Sequence, residues 1–349
     1  MATRTTVSRP LAGLVGFGAI GWLAAAGSVA AHGPAPAEPP SVTTLLLGWT
    51  FEPLPTLGLL SAGVWWWWAV RRVNAAHPGN PVPVRRSVAF AGGLAAIALA
   101  LLSGIDRYDT TLFSVHMIQH VLLTLVAAPL IALAAPITLA MRVATPGTRR
   151  RWILPVLHAR VTRIFAFPVL AWVIFAGVMW VSHFSALFDA ALEDPLVHDL
   201  EHLGFLGSAL LFWWPAVALD PGPWRMPHPG RALYVFLQMT QNTFLAVVLL
   251  NAGAVLYPHY ASLVLSWGPS ALEDQRTAAG IMWLAGDAIF IVAIFAIVAG
   301  WMRADARDTG RTDRRAAVEL ADIRVRERAL AERLARERED GQPGSGVSR

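Results

Sequence analysis

Long apolar runs separated by short, arginine-bearing polar stretches dominate the chain, and several reach eighteen residues or more. At about 1.5 Å per helical residue, such a run crosses a hydrocarbon core of about 30 Å. Candidate spans fall at about 54–71, 87–105, 112–141, 164–186, 198–219, 232–253 and 277–301, seven in all. An earlier apolar segment, Leu11 to Ala31, follows Arg4 and Arg9 and ends in GSVAAHG, with small residues where a signal peptidase cuts. It reads as a cleaved signal or as a first span, and the Pro-rich HGPAPAEPP follows it. Beyond Met302, Ala316, Leu320, Ile323, Leu330 and Leu334 recur near helical spacing among Arg and Glu, which predicts an amphipathic helix.

The pattern therefore predicts an all-α fold, a polytopic membrane helix bundle with seven core spans plus an N-terminal signal peptide or extra span. Its expected organisation is a signal or first segment at 1–31, a Pro-rich extracytoplasmic linker at 32–53 and a membrane core at 54–302. A charged cytoplasmic helix with a disordered end follows at 303–349. Arginine sidedness orients the bundle. Arg71, Arg72, Arg85 and Arg86 follow the first span, Arg142, Arg149, Arg150, Arg151, Arg160 and Arg163 follow the third, and Arg225 and Arg231 follow the fifth. These loops and the arginine-rich tail are expected in the cytoplasm of a bacterial cell, with the bundle in the plasma membrane. The opposite face collects Glu52, Asp106, Asp109, Asp189, Glu193, Asp194, Glu273 and Asp274, an acidic mouth that attracts cations.

Composition sharpens this picture. Hydrophobic residues make up 55% and charged residues 15%, with fifteen Trp, outside the range of a soluble domain. The formal charge of +5 comes from Arg alone, since the chain has no Lys, and it reads as orientation in lipid, with no nucleic-acid partner implied. Four consecutive tryptophans, Trp65 to Trp68, face all sides of one helix and suit packing at lipid and interface. Cysteine is absent, so a soft-metal site must be built from His and Met.

Histidine carries the candidate chemistry. His116 and His120 begin a span that enters from outside, His183 ends the next outward span, and His198 and His202 begin the one after it. All five are expected near the outer surface. A spacing of four puts each pair on one helical face, close enough to share a cation. Ionisable groups at the edge of hydrocarbon mark pathways or sites, and imidazole suits copper, zinc, iron or nickel. Met117, and with it Met179 and Met282, would suit Cu(I), and His259 in YPHY of the last outer loop is a further candidate ligand. His77, His158 and His228 fall on the cytoplasmic side.

Other readings compete. Each histidine could simply hydrogen-bond a neighbouring helix. HDLEH at 198–202 fits the H-x-x-E-H pattern of some zinc peptidases, in which Glu201 would activate a metal-bound water. Histidines on facing helices could ligate haem in an electron carrier. By helical angle Glu201 flanks the His198–His202 pair at the rim. Gln241 and Asn242 suit hydrogen bonds across helices, and Asp287 reads as a cation waypoint or another such bond.

HMIQH leading into APLIALAAP, HFSALFDAALEDPLVHDLEHLGFLGSALLFWWP, QNTFLAVVLLNAGAVLYPHY and EDQRTAAGIMWLAGD occur in this order between residues 116 and 287. Together they resemble the multi-spanning CtaG family of cytochrome c oxidase assembly factors, over about residues 55 to 301. The resemblance falls on His116, Gln119, His120, His183, His198 and His202, and on Asp274, Gln275 and Trp283. It implies a membrane protein, not an enzyme, that helps mature haem–copper oxidases by handling copper, with oxidase subunits, other copper chaperones and membrane lipid as partners.

Overall fold

The computed structural model describes residues 36–340, so the predicted signal or first span and the predicted disordered end lie outside the described residues. Among the described residues every regular element is helical. The described residues divide into two compact units, the first ending at Ile294 and the second beginning at Phe295.

In the first unit, α1 (Val42–Leu47) precedes α2 (Pro53–Ala76), α3 (Val84–Leu102) and the short α4 (Gly104–Tyr108). Next come α5 (Phe113–Val121), a π-helical turn (Leu122–Ala127), α6 (Ala128–Ala134) and α7 (Pro136–Val143). A connecting region holds α8 (Pro146–Thr148), a second π turn (Arg149–Ile153), α9 (Leu154–His158) and α10 (Arg160–Phe165). The remainder comprises α11 (Pro168–Phe184), α12 (Leu187–Glu193), α13 (Pro195–Val217), α14 (His228–Leu250), α15 (Pro258–Ser262) and α16 (Ala271–Asp340), the last continuing beyond Ile294.

Each of the seven predicted segments is helical. Among the described residues four stretches are both long and apolar enough to cross a membrane: Val84–Tyr108, Phe113–Val143, His228–Leu250 and the apolar part of Ala271–Leu334. Pro168–Phe184 with Leu187–Glu193 is a fifth if the pair, bent by 71°, counts as one span. The helices α2 and α13 have crossing length, but α2 carries four tryptophans and two arginines and α13 carries HDLEH.

Proline and capping residues set several boundaries. Pro53, Pro136, Pro168, Pro195 and Pro258 stand in the first turn of their helices, where a missing N–H is harmless. Asp194 caps α13 by accepting from the Leu196 and Val197 amides. Ala135 takes a left-handed conformation and divides α6 from α7. Close approach of α3 to this broken span needs Gly93, where a Cβ would fall 2.8 Å from Ile131 Cγ1. Among the tryptophans, Trp66 is buried, stacks on Phe90 and donates to Ser87 Oγ. Trp67 and Trp68 are exposed beneath Arg71 and Arg72, an arrangement suited to an interface.

Polar side chains form hydrogen bonds between helices. Trp180 Nε1 donates to Gln241 Oε1 and Asn242 Nδ2 to the Met282 carbonyl. Thr243 Oγ1 donates to the Asp287 carboxylate at 3.0 Å, so that residue joins α14 to α16. In the second unit, Leu320, Ile323, Leu330 and Leu334 are exposed along the helix.

Candidate metal centre

The five histidines of the sequence pattern come together. His116 and His120 project from α5, His183 from the end of α11, and His198 and His202 from the first half of α13. All five are buried, as are Asp109, which follows α4, and Glu201 of α13, and none of the seven exceeds 7% exposure.

Donor atoms of six of the seven form two groups, each with its atoms within 4.8 Å of one another: His116, His120 and Glu201, and Asp109, His198 and His202, with His183 in neither. In the first, the two Nε2 atoms lie 2.8 Å apart, and Glu201 Oε2 lies 3.6 Å from His116 Nε2 and 3.9 Å from His120 Nε2. A point equidistant from these three atoms is about 2.0 Å from each, the bond length of nitrogen or oxygen to a transition-metal ion. In the second, His198 Nε2 is 3.4 Å from Asp109 Oδ2. Burial and the neighbouring Asp106 push the Asp109 carboxyl well above the usual carboxylate range, and a bound cation would reverse that preference.

Supporting hydrogen bonds orient the donors. His183 Nδ1 sits 2.7 Å from the Met179 carbonyl and so carries the proton, which leaves Nε2 as a buried lone pair without a partner. Gln119 donates from Nε2 to the Ala100 carbonyl and to Asp106 Oδ1, which fixes its amide. Its Oε1, 3.0 Å from His202 Nε2, must then accept, so Nδ1 is the lone-pair nitrogen of that ring. Ser182 Oγ donates to Glu201 Oε1 while Oε2 accepts no well-formed bond. His116 and His120 rely on each other, with both Nδ1 atoms buried and without a hydrogen-bond partner.

The scaffold explains this placement. Asp274 of α16 accepts from the Ser114 amide and caps α5, whose own N-cap, Leu112, has no side chain to do so. Directly after His120 the helix widens into the π turn, a feature found often at functional sites. There Thr124 Oγ1 donates to the His120 carbonyl and Trp213 Nε1 to the Thr124 carbonyl. Gln275 holds the loop after α14 through the Leu256 amide and the Ala254 carbonyl. That loop returns over the site: Tyr257 donates to the His183 carbonyl and Tyr260 to the Asp109 carbonyl. Phe188 underlies His116 and His183 and packs on Tyr257, which keeps water from the cluster.

One candidate ligand stands apart. His259 Nε2 lies 2.8 Å from the Thr110 carbonyl and its amide donates to Asp189, so it fastens the loop and belongs to neither donor group. Met117 is buried on α5, next to His116 in the chain. His77 and His158 are exposed. The pattern reading placed Glu201 at the rim and left Asp109 among the outer acids, yet both are enclosed. The signal for Glu201 lay in the i, i+3, i+4 spacing of HDLEH, which puts its carboxylate on the same broad face as both histidines. Asp109 had no such signal.

The sequence matches the family described as cytochrome c oxidase caa3 assembly factor (Caa3_CtaG) over residues 64–304. Similar proteins include the uncharacterized Mb0105 of Mycobacterium bovis and MT0111 of Mycobacterium tuberculosis, each 32% identical over 292 residues, covering 82% of this chain and 44% of theirs. The uncharacterized ML1998 of Mycobacterium leprae is 31% identical over 293 residues, with the same coverage. The chain thus spans less than half the length of the curated relatives it matches. No solved structure matches it. Since the matched region contains all five histidines, both buried carboxylates and the helices that carry them, the chain belongs to the cytochrome c oxidase caa3 assembly factor family.

Proposed function

We propose that this protein binds copper as cargo at the buried histidine cluster and helps place it in a haem–copper oxidase. Supporting this reading above all is the triangle of His116 Nε2, His120 Nε2 and Glu201 Oε2, whose sides of 2.8, 3.6 and 3.9 Å suit one ion. Imidazole with carboxylate is a donor set that copper takes ahead of other first-row divalent ions. His116, His120 and Glu201 would hold the ion, His183 offers a further nitrogen, and Asp109, His198 and His202 line the same interior. What copper supplies is its later redox chemistry in the oxidase; the role of this chain is to bind, enclose and release it. Oxidase subunits and other copper chaperones are the proposed partners, within the lipid of a bacterial plasma membrane.

A non-catalytic role fits the site. In an H-x-x-E-H peptidase the two histidines of HDLEH would share an ion and the glutamate would serve as base. Here Glu201 is grouped with His116 and His120 and is held by Ser182. For haem, the facing rings, His116 with His198 at 5.5 Å and His120 with His202 at 6.1 Å between centroids, share their interior with the Glu201 carboxylate, where axial ligands need a wide macrocycle between them.

In a deletion strain, oxidase polypeptides should accumulate while oxidase activity falls to background, with partial recovery on adding copper. Normal activity in that strain refutes the assembly role. The proposed topology has seven core spans at 54–302, the cluster toward the outside and the charged helix from 303 in the cytoplasm. A cytoplasm-active reporter fused after Arg151, and another in the tail, should both be active. An extracytoplasmic reading after Arg151 would invert the bundle and place the cluster on the wrong side.

A further inference from the structure

The cluster holds more donors than one ion can use. The two pairs His116–His120 and His198–His202 each have ring centroids 4.2 Å apart, whereas the separations between pairs are 5.5 Å for His116–His198, 6.4 Å for His116–His202 and 6.1 Å for His120–His202. Their donor atoms fall into two separate groups, each within 4.8 Å, with no donor common to both. Helix α13 divides its side chains between them: Glu201 joins the α5 histidines, and His198 and His202 join Asp109.

The two enclosed carboxylates point the same way. Asp109 and Glu201 are both enclosed, and no arginine forms an ion pair with either among the described residues. Neither oxygen of Asp109 accepts a well-formed hydrogen bond, nor does Oε2 of Glu201. A buried carboxylate is costly unless a cation compensates it. An ion held in one trio would bond the carboxylate of that trio and leave the other carboxylate without a metal bond.

We infer that the site holds two divalent first-row transition-metal ions, one at His116, His120 and Glu201 and a second at Asp109, His198 and His202. Each trio supplies two imidazoles and one carboxylate, a harder set than the thioethers and thiolates that select Cu(I). His183 Nε2 adjoins the first trio, its ring centroid 6.2 Å from that of His120, and the Gln119 amide sets the tautomer of His202 in the second. This inference rests on the metal-handling reading above and adds stoichiometry and oxidation state to it.

The test loads purified full-length protein in detergent with Cu2+, and separately with Zn2+, removes excess ion by gel filtration and counts metal per chain by elemental mass spectrometry. About two ions per chain are expected for each metal. Asp109→Asn, and separately His116→Ala with His120→Ala, should each retain about one. A count of one in the wild-type protein overturns the two-ion inference while leaving the single-ion reading intact, and a count of zero overturns both. Should the variants fail to fold, the Cu2+-loaded wild-type protein still decides by paramagnetic resonance. Two neighbouring ions give a spin-coupled spectrum with reduced intensity per copper, whereas an isolated-ion spectrum at full intensity refutes the pair.

Discussion

Replacing His116 and His120 together by alanine will strip the first trio of its ion and reduce oxidase maturation to the level of a deletion strain. The two Nε2 atoms are two of the three donors of that trio, and Glu201 alone is left to compensate with one carboxylate oxygen. Loss of a supporting hydrogen-bond partner lowers metal affinity by about 10 to 100-fold, and losing two direct donors exceeds that. Both rings are buried on α5, so the variant is compared with His77→Ala, at the exposed end of α2, for expression and helix content. The control should keep its metal and its activity. Elemental analysis and oxidase assays in the same strains provide the readout. Full copper retention in the double variant, or a haem absorbance in the wild-type protein, contradicts the proposed function.

Glu201→Gln carries the second large effect, and it separates cargo binding from hydrolysis. The side chain keeps its size and its hydrogen bond with Ser182 but loses the charge that faces His116 and His120. With the carboxylate as a metal donor, the substitution should release the ion of the first trio and impair oxidase maturation, with recovery at raised copper in the medium. In a peptidase the same change removes a general base and leaves the metal in place, so turnover is lost at every copper level. A variant that retains all its metal yet never matures the oxidase would displace the copper-handling account.

The membrane character of the chain was written in its linear pattern. Apolar runs located helical segments, four of which are long and apolar enough among the described residues to cross a membrane, because a helix satisfies its backbone groups internally and so suits lipid. The four-residue spacing of the histidine pairs likewise placed two imidazoles on one face of α5 and two on one face of α13, because that spacing is nearly one helical turn. HMIQH and HDLEH could therefore be recognised as parts of a site before their helices were brought together.

What tertiary structure decided was which donors belong together. Glu201 follows His198 by three residues, and helical angle alone set it at the rim; it became interior because α5 packs against that side of α13 and Ser182 closes behind it. Asp109 lies outside any periodic run, and it joined the cluster because α4 ends beside His198 while Tyr260, from a loop 151 residues later, fastens its carbonyl. His259 went the other way: in YPHY it resembled a ligand, but the loop path turned its ring to the Thr110 carbonyl. Helical periodicity fixes directions within one element, whereas a metal-binding geometry depends on the spacing between elements, which only the packed bundle determines.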